Sequence, residues 1–219
     1  EGPTSWYEVH LNSEEGTNII GTMYPGTPNI LIGVTEHLGW SHTVNYPDKT
    51  DVFKLKMKNK RKYIVDEEEY ELEKLKAKIT VKVLGIPIKI NRKYYKSIFG
   101  PTLKNKSGYY SIRTPTLFNI KALEQWWRMG KSKNFSEFYN TLKMKQLPGF
   151  NIGYADKYDT IFYMSNGIIP KRAEGYNWKG IVPGDTKKTL WTEYHDIEDL
   201  PQVIQPDAGF IYNANHSPV

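Results

Sequence analysis

Along the first hundred residues apolar and polar positions mostly alternate, the period-2 signature of strands with one buried face. Residues 6–12 (WYEVHLN) predict a strand. Two apolar runs follow, Ile19–Met23 and Ile30–Val34, separated by Pro25-Gly26-Thr27-Pro28, a turn by its residue chemistry. Gly33, inside the second run, predicts a close backbone approach. Residues 51–65 (DVFKLKMKNKRKYIV) read as a strand, a Lys-rich turn and a strand. The next stretch opens with a Glu/Lys/Leu pattern compatible with a helix. The spacing of Ile79, Val81 and Val83, then Ile86, Ile88 and Ile90, predicts instead a long antiparallel hairpin broken near Gly85 and Pro87.

The rhythm changes near residue 115. Ile120, Leu123 and Trp127, then Phe135, Phe138, Tyr139 and Leu142, recur at helical spacing and predict a helical pair over about 117–146. Gly130 is expected to end the first helix. Asn134, with Glu137 three residues on, caps the second, and Pro148-Gly149 closes the pair. Strands return at 150–156 and 160–170, around a turn at Lys157–Asp159. Residues 171–207 read as a long irregular excursion, and AGFIYNANHSPV as a last strand running into a polar loop. Strands, two helices, strands: the order predicts an α+β domain with mostly antiparallel sheets. No repeat or linker divides residues 1–219, which therefore read as a single domain.

A composition of 39% hydrophobic and 14% aromatic residues can bury a substantial core. The formal charge is +6, with lysines at alternate positions 54, 56, 58 and 60, a spacing that makes one solvated strand face. No aromatic-plus-basic motif accompanies it, so no nucleic-acid partner is expected. The absence of cysteine excludes disulfides, thiolate metal sites and a cysteine nucleophile. No apolar run approaches the roughly 18 residues a membrane span needs, and no signal peptide opens the chain. The sequence starts already strand-like and stops abruptly, as expected of a piece cut from something longer.

Candidate chemistry is sparse. His10, His37, His42, His195 and His216 have no metal-ligand spacing, and no GxSxG, P-loop or GxGxxG is present. Asp48 and Asp51 flank Thr50 after Pro47; two carboxylates and a carbonyl so close suit a hard cation such as Ca²⁺, or simply an Asp-capped turn. Asn215 follows Asn213 in a loop, where a carboxamide can steady an oxyanion or serve only the turn.

The segments PTSWYEVHL, GTMYPGTPNILIGVTEHLGWSHTVNYPDKTDVF, SIFGP, FNIGYAD, IFYMSNGIIPKR, WKGIVP and GFIYNANHSP, in that order, resemble the penicillin acylase family of N-terminal nucleophile hydrolases, which includes the N-acyl homoserine lactone acylases. The resemblance covers Trp6 to Pro218. It implies an αββα sandwich, of which this chain would be a central fragment of the nucleophile-bearing β chain. It implies a secreted bacterial precursor, periplasmic or extracellular, cut into two chains, the other being the α chain. It also implies a catalytic N-terminal Ser upstream of residue 1, its own α-amino group acting as base. The expected activity is amide hydrolysis of an N-acylated small molecule, such as a penicillin or an acyl homoserine lactone; a non-catalytic relative that only binds or packs is the alternative. By the same resemblance the backbone N–H of Val44 and the side chain of Asn215 form the oxyanion hole, and Ile32, where many members have Phe, lines the acyl pocket. Asp48, Thr50 (through its carbonyl) and Asp51 would ligate a structural calcium, and no organic cofactor is expected. The sequence departs from the family at Gly33-Val34-Thr35. WSHTV resembles the lactone acylase branch and PDKTD the calcium-binding branch, so the substrate stays open between them.

Overall fold

The computed structural model describes residues 5–117 and 119–215; His216 and Pro218 lie outside them. In chain order the strands are β1 (Tyr7–Ser13), β2 (Thr17–Met23), β3 (Ile32–Val34), β4 (Leu38–Val44), β5 (Asp51–Met57), β6 (Lys62–Val65), β7 (Glu68–Glu71), β8 (Glu73–Val83), β9 (Ile86–Ser97), β10 (Gly100–Asn105) and β11 (Gly108–Arg113). Helices α1 (Ala122–Lys131) and α2 (Phe135–Leu142) follow, then β12 (Phe150–Asp156), β13 (Ile161–Asn166), β14 (Ile181–Gly184) and β15 (Gln202–Ile204). The expected α+β composition with antiparallel sheets is what the structure has. The chain divides into two compact units, 1–48 with 118–169 and 194–219, and 49–117 with 170–193.

The first unit is built on a seven-stranded sheet in the order β1-β2-β3-β4-β12-β13-β15. Alternation puts Trp40, Tyr154 and Phe162 in one row across β4, β12 and β13, with Ile152 and Met164 in the next. This face packs on Met129 of α1 and on Phe138 and Leu142 of α2 as one buried cluster. Burying side chains of this size contributes about 1.5–3 kcal/mol each.

Helix α2 starts as its sequence predicts: the Asn134 side chain accepts from the Glu137 N–H at 3.0 Å, and the Glu137 carboxylate accepts from the Lys133 N–H at 2.9 Å. Helix α1 corrects two expectations. Its buried residues are Gln125, Trp126, Met129 and Gly130, whereas Ile120, Leu123 and Trp127 are exposed. The polar Gln125 belongs inside because its Oε1 accepts the N–H groups of Gln146 and Leu147, at 2.7 and 3.2 Å, and so ties down the chain after α2. Gly130 does not end the helix, which runs on to Lys131. It is small because a Cβ there would meet Ile19 Cδ1 at 2.8 Å and Trp40 Cη2 at 3.3 Å, so it lets α1 lie close on the sheet.

The second unit holds the sheet β7-β6-β5-β11-β10-β9-β8, with β14 parallel to β5. Phe53 and Phe99 stack at 4.8 Å in its core. Lys54 and Lys56 sit on the exposed side of β5, while Lys58 and Lys60 fall in the turn after it. The predicted hairpin is β8–β9, closed by Leu84 and Gly85, both at positive φ as a two-residue type I′ turn requires. The excursion after residue 170 contains the short strands β14 and β15. Among the described residues the last predicted strand is absent: a turn closed by the Gly209 N–H to the Pro206 carbonyl precedes Phe210 and Tyr212, which are both exposed.

Candidate active site

The end of β4 meets the terminal segment through a cluster of amides on the sheet face opposite the helices. Asn151 of β12 lies across from Thr43 in the β4–β12 register and is only 1% exposed. Its Nδ2 donates to the Val44 carbonyl at 3.2 Å, to Thr43 Oγ1 at 3.1 Å and to Asn213 Oδ1 at 3.2 Å. Thr43 Oγ1 donates to the same Asn213 oxygen at 2.7 Å, and the Asn215 backbone N–H reaches it at 2.8 Å. Asn213 Nδ2 in turn donates to Tyr163 OH at 2.9 Å; burial raises that phenol's pKa, and the Asn213 bond opposes the rise.

Asn213 Oδ1 is thus a hub between the strand end and the terminal segment. Val44 and Asn215, far apart in sequence, attach to one hydrogen-bonded network. Asn215 sits at φ +62°, in the left-handed region that Asn tolerates. Its carboxamide is exposed and has no hydrogen-bond partner among the described residues. Sequence reasoning passed over Asn151 and Asn213. An Asn inside an otherwise mostly apolar strand, where it is disfavoured, was the available signal for Asn151. The side-chain oxygens of Asn151 and of Asn45, which follows Val44, are buried acceptors without a partner among the described residues.

On the helix side of β4, His42 Nε2 accepts from Trp126 Nε1 at 2.9 Å, and Phe150 packs its ring 5.3 Å away. Burial pulls the imidazole down to about 4, only partly opposed by the Asn151 backbone, so it is neutral near pH 7. Ile32 opens β3, half-buried, paired across the sheet with Thr22.

Of the three calcium candidates, Asp48 and Thr50 are exposed and Asp51 is buried, 1% exposed. Asp51 Oδ2 accepts from Arg172 Nε at 2.9 Å and from Trp191 Nε1 at 2.6 Å. Its Oδ1 is buried and has no partner among the described residues. No group of three His, Cys, Asp or Glu arranged for a metal occurs among the described residues.

Three comparisons bear on what this arrangement belongs to. The family model described as penicillin amidase matches residues 1–219. An acyl-homoserine lactone acylase PvdQ of Pseudomonas fluorescens (strain Pf0-1) is 28% identical over 180 residues, covering 77% of this chain and 23% of that protein. Penicillin G acylase of Escherichia coli is 26% identical over 219 residues, 99% of this chain and 26% of its own length. Among solved structures, a thermostable penicillin G acylase from Alcaligenes faecalis superposes with a TM-score of 0.87 at 22% identity, over 99% of this chain and 39% of that one. The chain spans about a quarter of the length of the curated relatives it matches.

Proposed function

The chain belongs to the penicillin amidase family, and from that premise we propose that it is a segment of an amide hydrolase that removes the acyl group from an N-acylated small molecule, a penicillin or an acyl homoserine lactone. The nucleophile is the N-terminal Ser of the β chain, upstream of residue 1, activated by its own α-amino group. As it attacks the amide carbon, negative charge builds on the former carbonyl oxygen. The Val44 N–H and the Asn215 carboxamide donate to that oxygen, and Ile32 contributes to the wall around the acyl group. Preorganised donors of this kind are worth about 3–4 kcal/mol each.

One observation carries this reading: Asn213 accepts from both Thr43, the neighbour of Val44, and the Asn215 backbone, which ties the two donor residues to a single point. The free Asn215 side chain leaves its donors available. The seven-stranded sheet supports the αββα reading in the same way. Helices cover one face, and Ile20, Val34 and Val203 stand exposed on the other, where a second sheet would pack. The remaining β-chain segments and the α chain supply it. For calcium, the buried and unpartnered Oδ1 of Asp51 suits a hard cation, while Arg172 already balances the charge on its other oxygen. Asp51 is therefore the ligand the donor chemistry supports best, with Asp48 and the Thr50 carbonyl beside it in sequence. Localisation follows the family reading, periplasmic or extracellular.

The test is to incubate the complete processed protein with an acyl homoserine lactone and with a phenylacetyl amide. Turnover of either supports an acylase. Turnover of neither favours a non-catalytic relative.

A further inference from the structure

The β8–β9 hairpin is unlike the rest of the chain. Among the described residues, sheet pairing reaches it only at its base, where Tyr95, Lys96 and Ser97 meet β10. From there to Leu84 it is a two-stranded ribbon. The register sorts its side chains by chemistry: Leu75, Ile79, Val81 and Val83 of β8 share a face with Tyr94, Ile90, Ile88 and Ile86 of β9. Nearly all of these are exposed, and Leu84 at the turn is 98% exposed. The other face carries Lys74, Lys76, Lys78 and Lys82 on β8 with Lys89 and Lys93 on β9. Residues 73–97 hold eight Lys or Arg and one Glu, leaving 22 basic and 23 acidic residues elsewhere. The whole positive excess of the chain therefore sits on this ribbon. Arg92, set into the apolar face opposite Ala77, has no partner among the described residues.

We propose that this hairpin docks on an anionic lipid surface, with its apolar face and Leu84 in the headgroup–acyl boundary and its lysines reaching lipid phosphates. A two-stranded ribbon whose apolar face is left open by the described residues is marginal in water, so a cover on that face is favoured. A second copy is a poor cover, since it would set two strongly basic ribbons and two Arg92 side chains against each other. An anionic bilayer matches both faces at once: it takes up the Ile/Val side, its phosphates pair with the cations, and long Lys stems can reach up from a buried ribbon. Such a hairpin lies on the membrane without crossing it, and no helix of the described residues is long and apolar enough to cross. The proposal does not depend on acylase activity.

The experiment is co-sedimentation of the complete protein with phosphatidylcholine vesicles, with and without phosphatidylglycerol, at low and high salt. Binding is expected only to the anionic vesicles, and to fall with salt. Lys82→Glu with Lys89→Glu should weaken it by more than tenfold, given roughly fivefold per basic residue near the surface. Leu84→Asp should weaken it comparably while leaving the melting temperature unchanged. A fluorophore at Leu84→Cys, as the single labelled position, should shift to the blue only when anionic vesicles are added. Equal binding to neutral vesicles, no binding, or insensitivity to these variants would overturn the proposal. So would a probe already shielded without lipid, by the protein's own remaining segments, or one shielded with rising protein concentration, by a second copy.

Discussion

Acidification puts His42 to a quantitative test. Its Nε2 is held by the Trp126 indole, its ring lies against Phe150, and its Nδ1 is buried. Protonation would place a cation where only an indole N–H, itself a donor, faces Nε2. The unfolded imidazole titrates near 6.5 and the folded one at about 4. Between those values the unfolded chain binds a proton that the folded chain refuses. The stability His42 permits is therefore complete above pH 6.5 and declines as pH falls toward 4, below which the loss levels off. At 1.36 kcal/mol per pKa unit, the full loss is about 3 kcal/mol. The assay is urea denaturation of the complete protein from pH 7 to pH 4, beside His42→Gln, which cannot titrate. The variant should lose most of that pH-dependent difference, and the His42 Cε1–H resonance should titrate well below 6. Parallel pH profiles, or a titration near 6.5, would refute the reasoning.

Other predictions follow from the same contacts. Asn213→Ala removes the hub that the Thr43, Asn151 and Asn215 donors share; kcat should fall at least tenfold with KM little changed, and combining it with Asn215→Ala should add almost nothing to the single Asn215→Ala loss, as a double-mutant cycle of rates would record. Arg172→Met strands the buried Asp51 carboxylate and should cost about 3–5 kcal/mol in denaturant unfolding, unless millimolar Ca²⁺ restores part of it, which would identify Asp51 as a ligand. Gly130→Val drives a side chain into Ile19 and Trp40 and should cost about 1–3 kcal/mol, read as a lowered melting temperature. Asn134→Ala removes the cap on the Glu137 N–H and should cost about 1 kcal/mol, visible as faster hydrogen exchange in the first turn of α2.

What could be read in the sequence depended on whether the signal was local. The β8–β9 hairpin was legible because strict alternation on both strands and a Gly in the turn are near-neighbour facts. So was the start of α2, where cap and partner lie three residues apart. The face of α1 was misread because Trp126 and Trp127 are adjacent and equally apolar, and only the distant Gln146 and Leu147 amides make Gln125 an interior residue. Phe210 and Tyr212 suggested a strand by type, but the Gly209 turn turns them out of the sheet. In the site, Val44 and Asn215 came from resemblance to a family. Asn151 and Asn213 were hidden because their meaning lies in four partners scattered from Thr43 to Asn215, and no spacing along the chain announces such a convergence.

The central claim is that the Val44 N–H and the Asn215 carboxamide converge on one developing oxyanion. The most direct measurement is a crystal structure of the complete processed protein carrying a tetrahedral adduct on its N-terminal Ser, such as a phosphonate. One adduct oxygen should lie about 3 Å from both Val44 N and Asn215 Nδ2, with Asn213 still bonded to Thr43. An adduct oxygen held by other groups, with Asn215 turned away, would contradict it.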